Sequence, residues 1–177
     1  MTSDHTTDFR RSFGRSPADG SASVLFLDVD GVLNRCGESN QGLESDKVAL
    51  LKQIIAETGC RVVLSSTWRK HEHLMERITI MFESFGSRLL GATPILDSKT
   101  SGAWGSPIWI APCRGKEITQ WIRENGTPDR FVILDDDDDM IDLLSKLVHT
   151  NSFTGLTPDL AREVIRRLNA SDQRPRT

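Results

Sequence analysis

The feature that most constrains this chain is a short apolar run that ends abruptly in two carboxylates. Residues 24–34 read Val-Leu-Phe-Leu-Asp-Val-Asp-Gly-Val-Leu-Asn. The first four are typical of a strand buried on both faces, as in a parallel sheet. Strand periodicity points Asp28 and Asp30 to one side and turns Val29 toward the core. Gly31 follows directly and allows the backbone to turn sharply.

The two neighbouring carboxylates predict a bound cation. Like charges at the end of a buried strand repel each other, and burial strengthens the repulsion. A divalent cation such as Mg²⁺ fits an all-oxygen site. Taken alone, the same residues also fit an Asp-Gly turn whose carboxylates are solvated. The rest of the chain decides between these interpretations.

Length and composition indicate one ordinary globular domain. A chain of 177 residues can bury a full core but is short for two domains. Its hydrophobic fraction of 37% and charged fraction of 27% are usual for a soluble protein. The formal net charge of −3 argues against general nucleic-acid affinity but allows a local basic groove. No apolar run approaches the roughly 20 residues that span a bilayer.

The ends of the chain are polar, and we expect them to be disordered. Residues 1–23 contain no hydrophobic segment, so we predict a disordered leader, one folded domain over 24–170 and a disordered tail over 171–177. The cysteines are odd in number and widely spaced, which favours a reducing cytoplasm over a disulfide framework. They are Cys36, Cys60 and Cys113.

Apolar strands alternate with amphipathic helices along the chain. Helices are predicted to begin near Ser45, as a plausible N-cap, and to cover 71–85, 116–125, a stretch carrying Met140–Leu144, and 157–168. Further strands are predicted at 61–64, within 88–96 (broken by Gly91 and Pro94), at 131–134 and at 147–151; residues 97–112 are predicted as a loop. This order predicts an α/β fold, a doubly wound three-layer sandwich with a mostly parallel five-stranded sheet.

Three of these strands end in chemically active side chains. The groups are Asp28 with Asp30, Ser65 with Ser66, and Asp135 with Asp136; Arg114 and Lys116 stand at a helix entrance. The carboxyl ends of parallel strands meet at one edge, where ligands bind in such sheets. A run of five acids such as 135–139 is usually solvated. Here the run abuts a core strand, so its first members are expected at the site and later ones at the next helix.

These motifs resemble the haloacid dehalogenase superfamily of phosphohydrolases. Residues 27–33 match its Asp-x-Asp-Gly element, and 63–65 match its second motif, a strand ending in Ser, with Ser66 as the alternative. Residues 133–136, with Asp139 downstream, are similar to its acidic fourth motif. Its third motif needs one basic residue before a helix, which is Arg114 or Lys116. Residues 64–69, 114–118 and 134–136 also resemble a branch of small members found within RNA-repair polyproteins.

The resemblance implies a Mg²⁺-dependent phosphatase with an assigned set of residues. Asp28 would be the nucleophile that forms an aspartyl-phosphate, and Asp30 the general acid and base. Mg²⁺ would be held by Asp28, Asp136 and the backbone carbonyl of Asp30, with Asp135 and Asp139 ordering water at the metal site. Ser65 would bond a phosphoryl oxygen, and Lys116 or Arg114 would neutralise charge there.

Two related classes and one unrelated class were alternatives. Dehalogenases of the superfamily lack the second Asp, so Asp30 indicates phosphoryl transfer. Response-regulator receivers carry their acidic pair early in the chain, whereas an acidic cluster comes last here. A catalytically silent binding module would keep the scaffold and use the Trp104–Trp109 loop for a protein partner.

The spacing of the motifs leaves no room for the cap domain that many superfamily members carry. Residues 31–64 and 68–115 accommodate only the elements already assigned. The resemblance then implies an open site and a large phosphorylated substrate, such as a nucleic-acid end or a phosphoprotein. A small phosphate ester or a nucleotide is the alternative. Trp104 and Trp109 are expected to overhang the strand ends and to stack on the substrate.

Overall fold

The computed structural model describes residues 23–37, 42–96, 98–101, 107–110 and 113–170, with backbone alone at 98–101 and 107–110. The predicted disordered tail lies outside the described residues, as does the predicted leader apart from Ser23, which opens the first strand. Trp104 also lies outside them, so its expected role stays a prediction. No helix in the described part of the chain is long and apolar enough to cross a membrane.

Strands and helices alternate in the described ranges. The strands are β1 (Ser23–Leu27), β2 (Arg61–Leu64), β3 (Leu89–Ala92), β4 (Ser98–Ser101), β5 (Pro107–Ile110), β6 (Arg130–Asp135) and β7 (Leu147–His149). The α-helices are α1 (Ser45–Thr58), α2 (Glu72–Glu83), α3 (Arg114–Asn125) and α4 (Pro158–Asn169). Short 3₁₀ helices cover Thr67–Lys70 and Ile141–Lys146.

The main sheet has five parallel strands in the order β3-β2-β1-β6-β7. The predicted parallel five-stranded sheet is therefore confirmed. From the central β1 the chain builds outward through β2 and β3, then crosses to the other side for β6 and β7. The order reverses at β1, and open α/β sheets bind ligands at such a point, outside the carboxyl ends of the strands.

Alternate residues of β1 pack into two separate cores. Leu25 and Leu27 belong to a buried cluster that contains residues of α1, α2 and α4. Val24 and Phe26 belong to a second cluster, with Ile118 and Trp121 of α3 among its members. The sheet thus lies between two helical layers, which confirms the three-layer sandwich.

The predicted loop over 97–112 contains two strands instead. β4 and β5 pair antiparallel as a separate two-stranded sheet, with Lys99 opposite Trp109. The nearby glycines and prolines favoured a loop, but the β-branched and aromatic residues of β5 favour a strand. No inserted domain is found in the described part of the connection between β3 and α3.

The predicted amphipathic α-helix around Met140–Leu144 was wrong. The segment is a 3₁₀ helix over Ile141–Lys146, and Ile141 has a φ of 51°. A β-branched residue in the left-handed region is incompatible with a continuous α-helix. Met140 is completely buried in the α3 cluster instead of beginning an α-helix.

Other boundaries differ by small shifts with clear local causes. Gly91 lies inside β3 and does not break the strand. The register between β3 and its neighbour β2 shifts at this point, between Val62 and Val63 of β2. α1 begins at Ser45, but its N-cap is Glu44 and makes no side-chain capping bond. The predicted Thr157 cap of α4 is confirmed, since its side chain accepts a hydrogen bond from Leu160 N.

Candidate active site

Backbone hydrogen bonds tie the ends of three strands together at the carboxyl edge of the sheet. Asp28 N donates to Leu134 O at 3.0 Å, which joins the end of β1 to β6. Ser65 N donates to Leu27 O at 2.8 Å, which joins the end of β2 to β1. The reactive residues that follow these strands are therefore neighbours, as their sequence positions predicted.

Three carboxylates gather at this edge. Asp28, Asp135 and Asp136 each place one oxygen within 4.8 Å of the others. Asp28 is 4% exposed and Asp135 is completely buried, whereas Asp136 is half-buried. Burial raises the pKa of Asp28 to about 6 and, together with the nearby charge of Asp28, raises the pKa of Asp135 to about 8. The raised pKa values indicate that the positive charge near the cluster does not balance its carboxylates.

The residues present fit Mg²⁺. All three side chains of the cluster offer hard oxygen ligands. Asp135 Oδ2 is buried and has no hydrogen-bond partner among the described residues. Arg114 forms an ion pair with this oxygen but no aligned hydrogen bond, so a cation at the cluster would satisfy a buried carboxylate that is otherwise only partly compensated. Burial also raises the pKa of Asp136, which a cation would oppose in the same way.

Arg114 supplies a positive charge to the cluster from the first turn of α3. Its Nη2 lies 3.5 Å from Asp28 Oδ1, and its Nε lies 3.1 Å from Asp135 Oδ2. Lys116 follows two residues later and is exposed, since two residues turn an α-helix by roughly 200°. The sequence left Arg114 and Lys116 as alternatives for the basic position, and Arg114 is the one that contacts the carboxylates.

The start of α3 is docked on the end of the acidic run. Asp139 Oδ2 accepts a hydrogen bond from Arg114 N at 2.9 Å, and Asp139 O accepts one from Gly115 N at 3.2 Å. A Cβ at Gly115 would lie 2.4 Å from Met140 O, so a side chain does not fit there. Asp139 was expected to order water at the metal site. Its carboxylate instead accepts a hydrogen bond from the backbone N–H of Arg114 at the start of α3.

The two serines after β2 have different surroundings. Ser66 Oγ accepts a hydrogen bond from Trp68 N at 3.3 Å, and a hydrogen bond from the Ser66 side chain lowers the pKa of Asp28. Ser65 is completely buried, and its Oγ has no partner among the described residues. The Ser66 hydroxyl is therefore bonded within the protein, whereas the Ser65 hydroxyl has no such bond among the described residues.

Asp30 is held by two residues that the sequence reasoning missed. Trp68 Nε1 lies 3.0 Å from Asp30 Oδ1 and 2.9 Å from Oδ2. Asn34 Nδ2 donates to Asp30 Oδ1 at 2.8 Å, and Asn34 Oδ1 accepts from Gly31 N at 3.1 Å. The four-residue spacing within a turn could have indicated Asn34. No local pattern could indicate Trp68, which is 38 residues away from Asp30 in the chain.

Gly31 is required where the first turn meets the acidic run. Its φ is 69°, and a Cβ there would lie 2.2 Å from Asp136 Oδ2. Thr150 Oγ1 donates to Gly31 O at 2.8 Å and fixes the same turn from the end of β7. The turn after β1 therefore approaches the Asp136 carboxylate more closely than any residue with a side chain could.

A buried ion pair between Arg69 and Glu117 lies next to the site. Arg69 Nη2 lies 2.5 Å from Glu117 Oε2, with side chains 3% and 2% exposed. Arg69 Nη1 also donates to the carbonyl oxygens of Ser65 and Ser66. Arg69 thus links the turn after β2 to α3, the helix whose first turn carries Arg114.

Comparison with known proteins gave one family match. A family model described as "HAD domain in Swiss Army Knife RNA repair proteins" matches residues 24–161. The matched range contains every site residue described above. A search of curated proteins gave no match.

Proposed function

Because the chain belongs to the family of HAD domains in Swiss Army Knife RNA repair proteins, we propose that it is a Mg²⁺-dependent phosphatase. The observation that carries the proposal is the cluster of Asp28, Asp135 and Asp136 beside Arg114 at the switch point of the sheet. A strand-end carboxylate with a guanidinium and a cation site beside it is suited to attack an anionic phosphoryl group.

Asp28 is the proposed nucleophile. Its carboxylate oxygen attacks phosphorus, the bond from phosphorus to the ester oxygen breaks, and an aspartyl-phosphate forms. With a pKa of about 6, Asp28 is largely ionised at neutral pH and keeps the basicity that a nucleophile needs. Arg114 and the free Ser65 hydroxyl stabilise the phosphoryl oxygens as negative charge develops on them.

Asp30 is the proposed general acid and base. It gives its proton to the departing ester oxygen, which leaves as an alcohol. The resulting Asp30 carboxylate then takes a proton from a water molecule as that water attacks the phosphorus of the aspartyl-phosphate. The second step releases inorganic phosphate and restores both Asp28 and protonated Asp30.

The same edge of the sheet would hold the metal. Asp28 and Asp136 would bind Mg²⁺ together with the backbone carbonyl of Asp30, and Asp135 lies beside them. When bound, Mg²⁺ supplies positive charge that offsets the repulsion between a carboxylate nucleophile and a phosphate ester.

The proposed substrate is the phosphorylated end of a nucleic acid. The description of the matched family refers to RNA repair. In the described part of the chain no inserted domain stands over the carboxyl edge of the sheet, which favours a large substrate. The smaller alternatives are a nucleotide or another small phosphate ester, and a phosphoprotein is a further large one.

Asp28→Asn tests the mechanism. The amide keeps the shape of the carboxylate but is a far weaker nucleophile, so we expect p-nitrophenyl phosphate turnover to fall at least 100-fold. Asp138→Asn, which changes an exposed member of the acidic run, is the matched control and should keep wild-type turnover. If Asp28→Asn retained more than a few per cent of activity, the aspartyl-phosphate mechanism would be wrong.

The substrate is tested by comparing kcat/KM across phosphate donors. The set contains 5′- and 3′-phosphorylated RNA and DNA oligonucleotides, mononucleotides, sugar phosphates and a phosphopeptide. We expect a phosphorylated oligonucleotide to be used at least ten-fold better than the mononucleotide with the same terminal base. Equal values would indicate a small-molecule phosphatase, and Mg²⁺ binding without turnover of any donor would indicate a silent binding module.

A further inference from the structure

We propose that Trp68 is a positioning residue for proton transfer by Asp30, through the hydrogen bond from its indole N–H to both carboxylate oxygens. The inference rests on the proposed function of Asp30 as general acid and base. Trp68 Nε1 lies 3.0 Å from Oδ1 and 2.9 Å from Oδ2. An N–H shared by both oxygens fixes the plane of the carboxylate and its distance from the ring.

Trp68 is itself fixed on several sides. Its side chain is 3% exposed and packs in the core cluster that contains α1 and α2. Its backbone N–H donates to Ser66 Oγ at 3.3 Å, and its carbonyl accepts from His71 N at 3.0 Å. The Arg77 guanidinium lies 5.8 Å from the ring centroid. The indole N–H therefore reaches Asp30 from a rigid support.

The chemistry of indole suits this task. Its N–H is a donor that cannot accept a proton, so the proton carried by Asp30 cannot pass to Trp68. The bond therefore holds the carboxyl group in one orientation before and after Asp30 has protonated the leaving oxygen. Asn34 Nδ2 adds a second donor to Oδ1 at 2.8 Å. Oδ1 thus accepts from both donors and Oδ2 only from the shared indole N–H, which makes Oδ2 the oxygen that carries the transferred proton.

Trp68→Phe removes the N–H and keeps most of the ring packing. The readout is kcat/KM for two esters, p-nitrophenyl phosphate, whose leaving group departs readily as an anion, and glycerol 2-phosphate, whose alkoxide must be protonated. We expect Trp68→Phe to lower kcat/KM about ten-fold for glycerol 2-phosphate and less than three-fold for p-nitrophenyl phosphate, because only the first reaction depends on the general acid.

Trp121→Phe is the matched control. Trp121 is 5% exposed and packs edge-on against Phe26 in the core on the other face of the sheet. This variant loses the same atoms from a buried tryptophan, so it should affect both esters equally. If Trp68→Phe also reduced both esters in the same proportion, Trp68 would have only a packing role and the inference would be wrong. Failure of the wild type on every ester would instead contradict the proposed function.

An NMR experiment tests the hydrogen bond without activity. The four tryptophans give four indole ¹⁵N–¹H resonances, and the one absent in Trp68→Phe belongs to Trp68. In metal-free samples of otherwise wild-type protein, we expect Asp30→Ala to shift the Trp68 resonance and Asp138→Ala to leave it unchanged. If Asp30→Ala left it in place, Trp68 would not donate to Asp30 and the proposal would be overturned. If Trp68→Phe does not fold, Trp104→Phe, Trp109→Phe and Trp121→Phe assign the other three indole resonances, and the fourth is that of Trp68.

Discussion

At the scale of single residues, the site depends on positions where a side chain must be absent as much as on reactive groups. Gly31 and Gly59 both have left-handed backbones, with φ values of 69° and 64°. A Cβ at Gly31 would meet the Asp136 carboxylate, whereas a Cβ at Gly59 would have nothing within 4 Å. Substitutions at the two glycines therefore distinguish the free-energy cost of backbone strain from that of a steric collision.

We expect Gly31→Ala and Gly59→Ala to cost a similar backbone strain of about 1–2 kcal/mol, because both place a side chain in the left-handed region. Only Gly31→Ala should also weaken Mg²⁺ binding, by about ten-fold or more, since the new methyl group displaces Asp136. Denaturant unfolding in EDTA measures the strain alone in Gly59→Ala and the strain plus the collision with Asp136 in Gly31→Ala, and calorimetric titration measures the Mg²⁺ affinity. Equal Mg²⁺ affinities in the two variants would contradict the assignment of Asp136 to the metal.

The raised pKa of Asp135 predicts how stability depends on pH. Burial holds this pKa at about 8 in the folded protein, whereas an unfolded Asp titrates near 4. Between these values the folded state binds a proton that the unfolded state has released, so stability is highest at the acidic end and falls as pH rises toward 8. The raised pKa of Asp28, at about 6, acts in the same direction.

Thermal melts in EDTA check this expectation. The melting temperature should fall between about pH 5 and about pH 8, with about 2–4 °C for each 1 kcal/mol lost. Asp135→Asn should make the fall smaller, because the amide does not titrate, and Asp138→Asn should leave the slope unchanged. A wild-type protein that became more stable over this range would show that Asp135 is ionised in the fold.

The sequence indicated which residues gather at the carboxyl edge of the sheet better than it indicated the residues that hold them in place. Asp28 and Ser65 directly follow apolar strands and Asp135 ends one, and parallel strands bring their carboxyl ends together. Trp68 and Arg69 act across the chain, through contacts that depend on how α-helices and turns pack. No spacing rule connects Trp68 to Asp30 or Arg69 to Glu117, so these contacts required the three-dimensional structure.

At the scale of elements, the Arg69–Glu117 pair links the turn after β2 to α3. The two buried charges satisfy each other, and Glu117 Oε1 also accepts a hydrogen bond from Leu96 N at 3.3 Å. Arg69 Nε donates to Thr93 O at 3.1 Å, so the loop after β3 is tied to the same guanidinium. One side chain therefore fixes three segments that meet beside the site.

Arg69→Met should lower the free energy of unfolding by about 3–5 kcal/mol, because it leaves Glu117 buried without a countercharge. Arg69→Met combined with Glu117→Gln should be less destabilised than Arg69→Met alone, since the amide removes the unpaired charge and can still accept from Leu96 N. Urea unfolding of both variants measures the difference. A double variant that is the less stable of the two would show that the unpaired charge is not the main cost.

The strand and helix order was predictable because period-2 and period-3.6 patterns are local. The two misjudged elements depend on context instead. The antiparallel pair of β4 and β5 lies outside the main sheet, and the glycines and prolines near it in the sequence are typical of a loop. The segment after the acidic run has an α-helical pattern, but burial of Met140 and the left-handed Ile141 turn it into a 3₁₀ helix.

At the scale of the whole molecule, the proposed metal ligands lie directly after β1 and at and after the end of β6. Binding at such a junction stabilises the entire sheet, because a metal that binds only the folded state shifts the unfolding equilibrium. The two strands are paired in parallel from Ser23 opposite Arg130 to Leu27 opposite Leu134. We therefore expect the proposed metal binding to be coupled to global stability.

We expect Mg²⁺ at 100 times its dissociation constant to stabilise the fold by about 2.7 kcal/mol, which is about 5–10 °C in melting temperature. Asp136→Ala should remove most of this increase, and Asp138→Ala should keep it, because Asp138 is exposed. Thermal melts with and without Mg²⁺ measure both. Equal responses of the two variants would mean that the acidic run binds the metal at a different position.

The acidic run carries a consequence for how its gene can change. Its five residues are chemically identical, yet each has a different task. Asp135 is buried, Asp136 lies against Gly31, and the Asp137 N–H bonds back to Asp135 Oδ1. The Asp138 carbonyl accepts from Met140 N, and Asp139 holds the start of α3. In-frame gain or loss of one aspartate codon would leave the composition of the protein almost unchanged. The structure makes such a change costly, because one residue more or fewer would move Asp139 and Met140 out of register with α3.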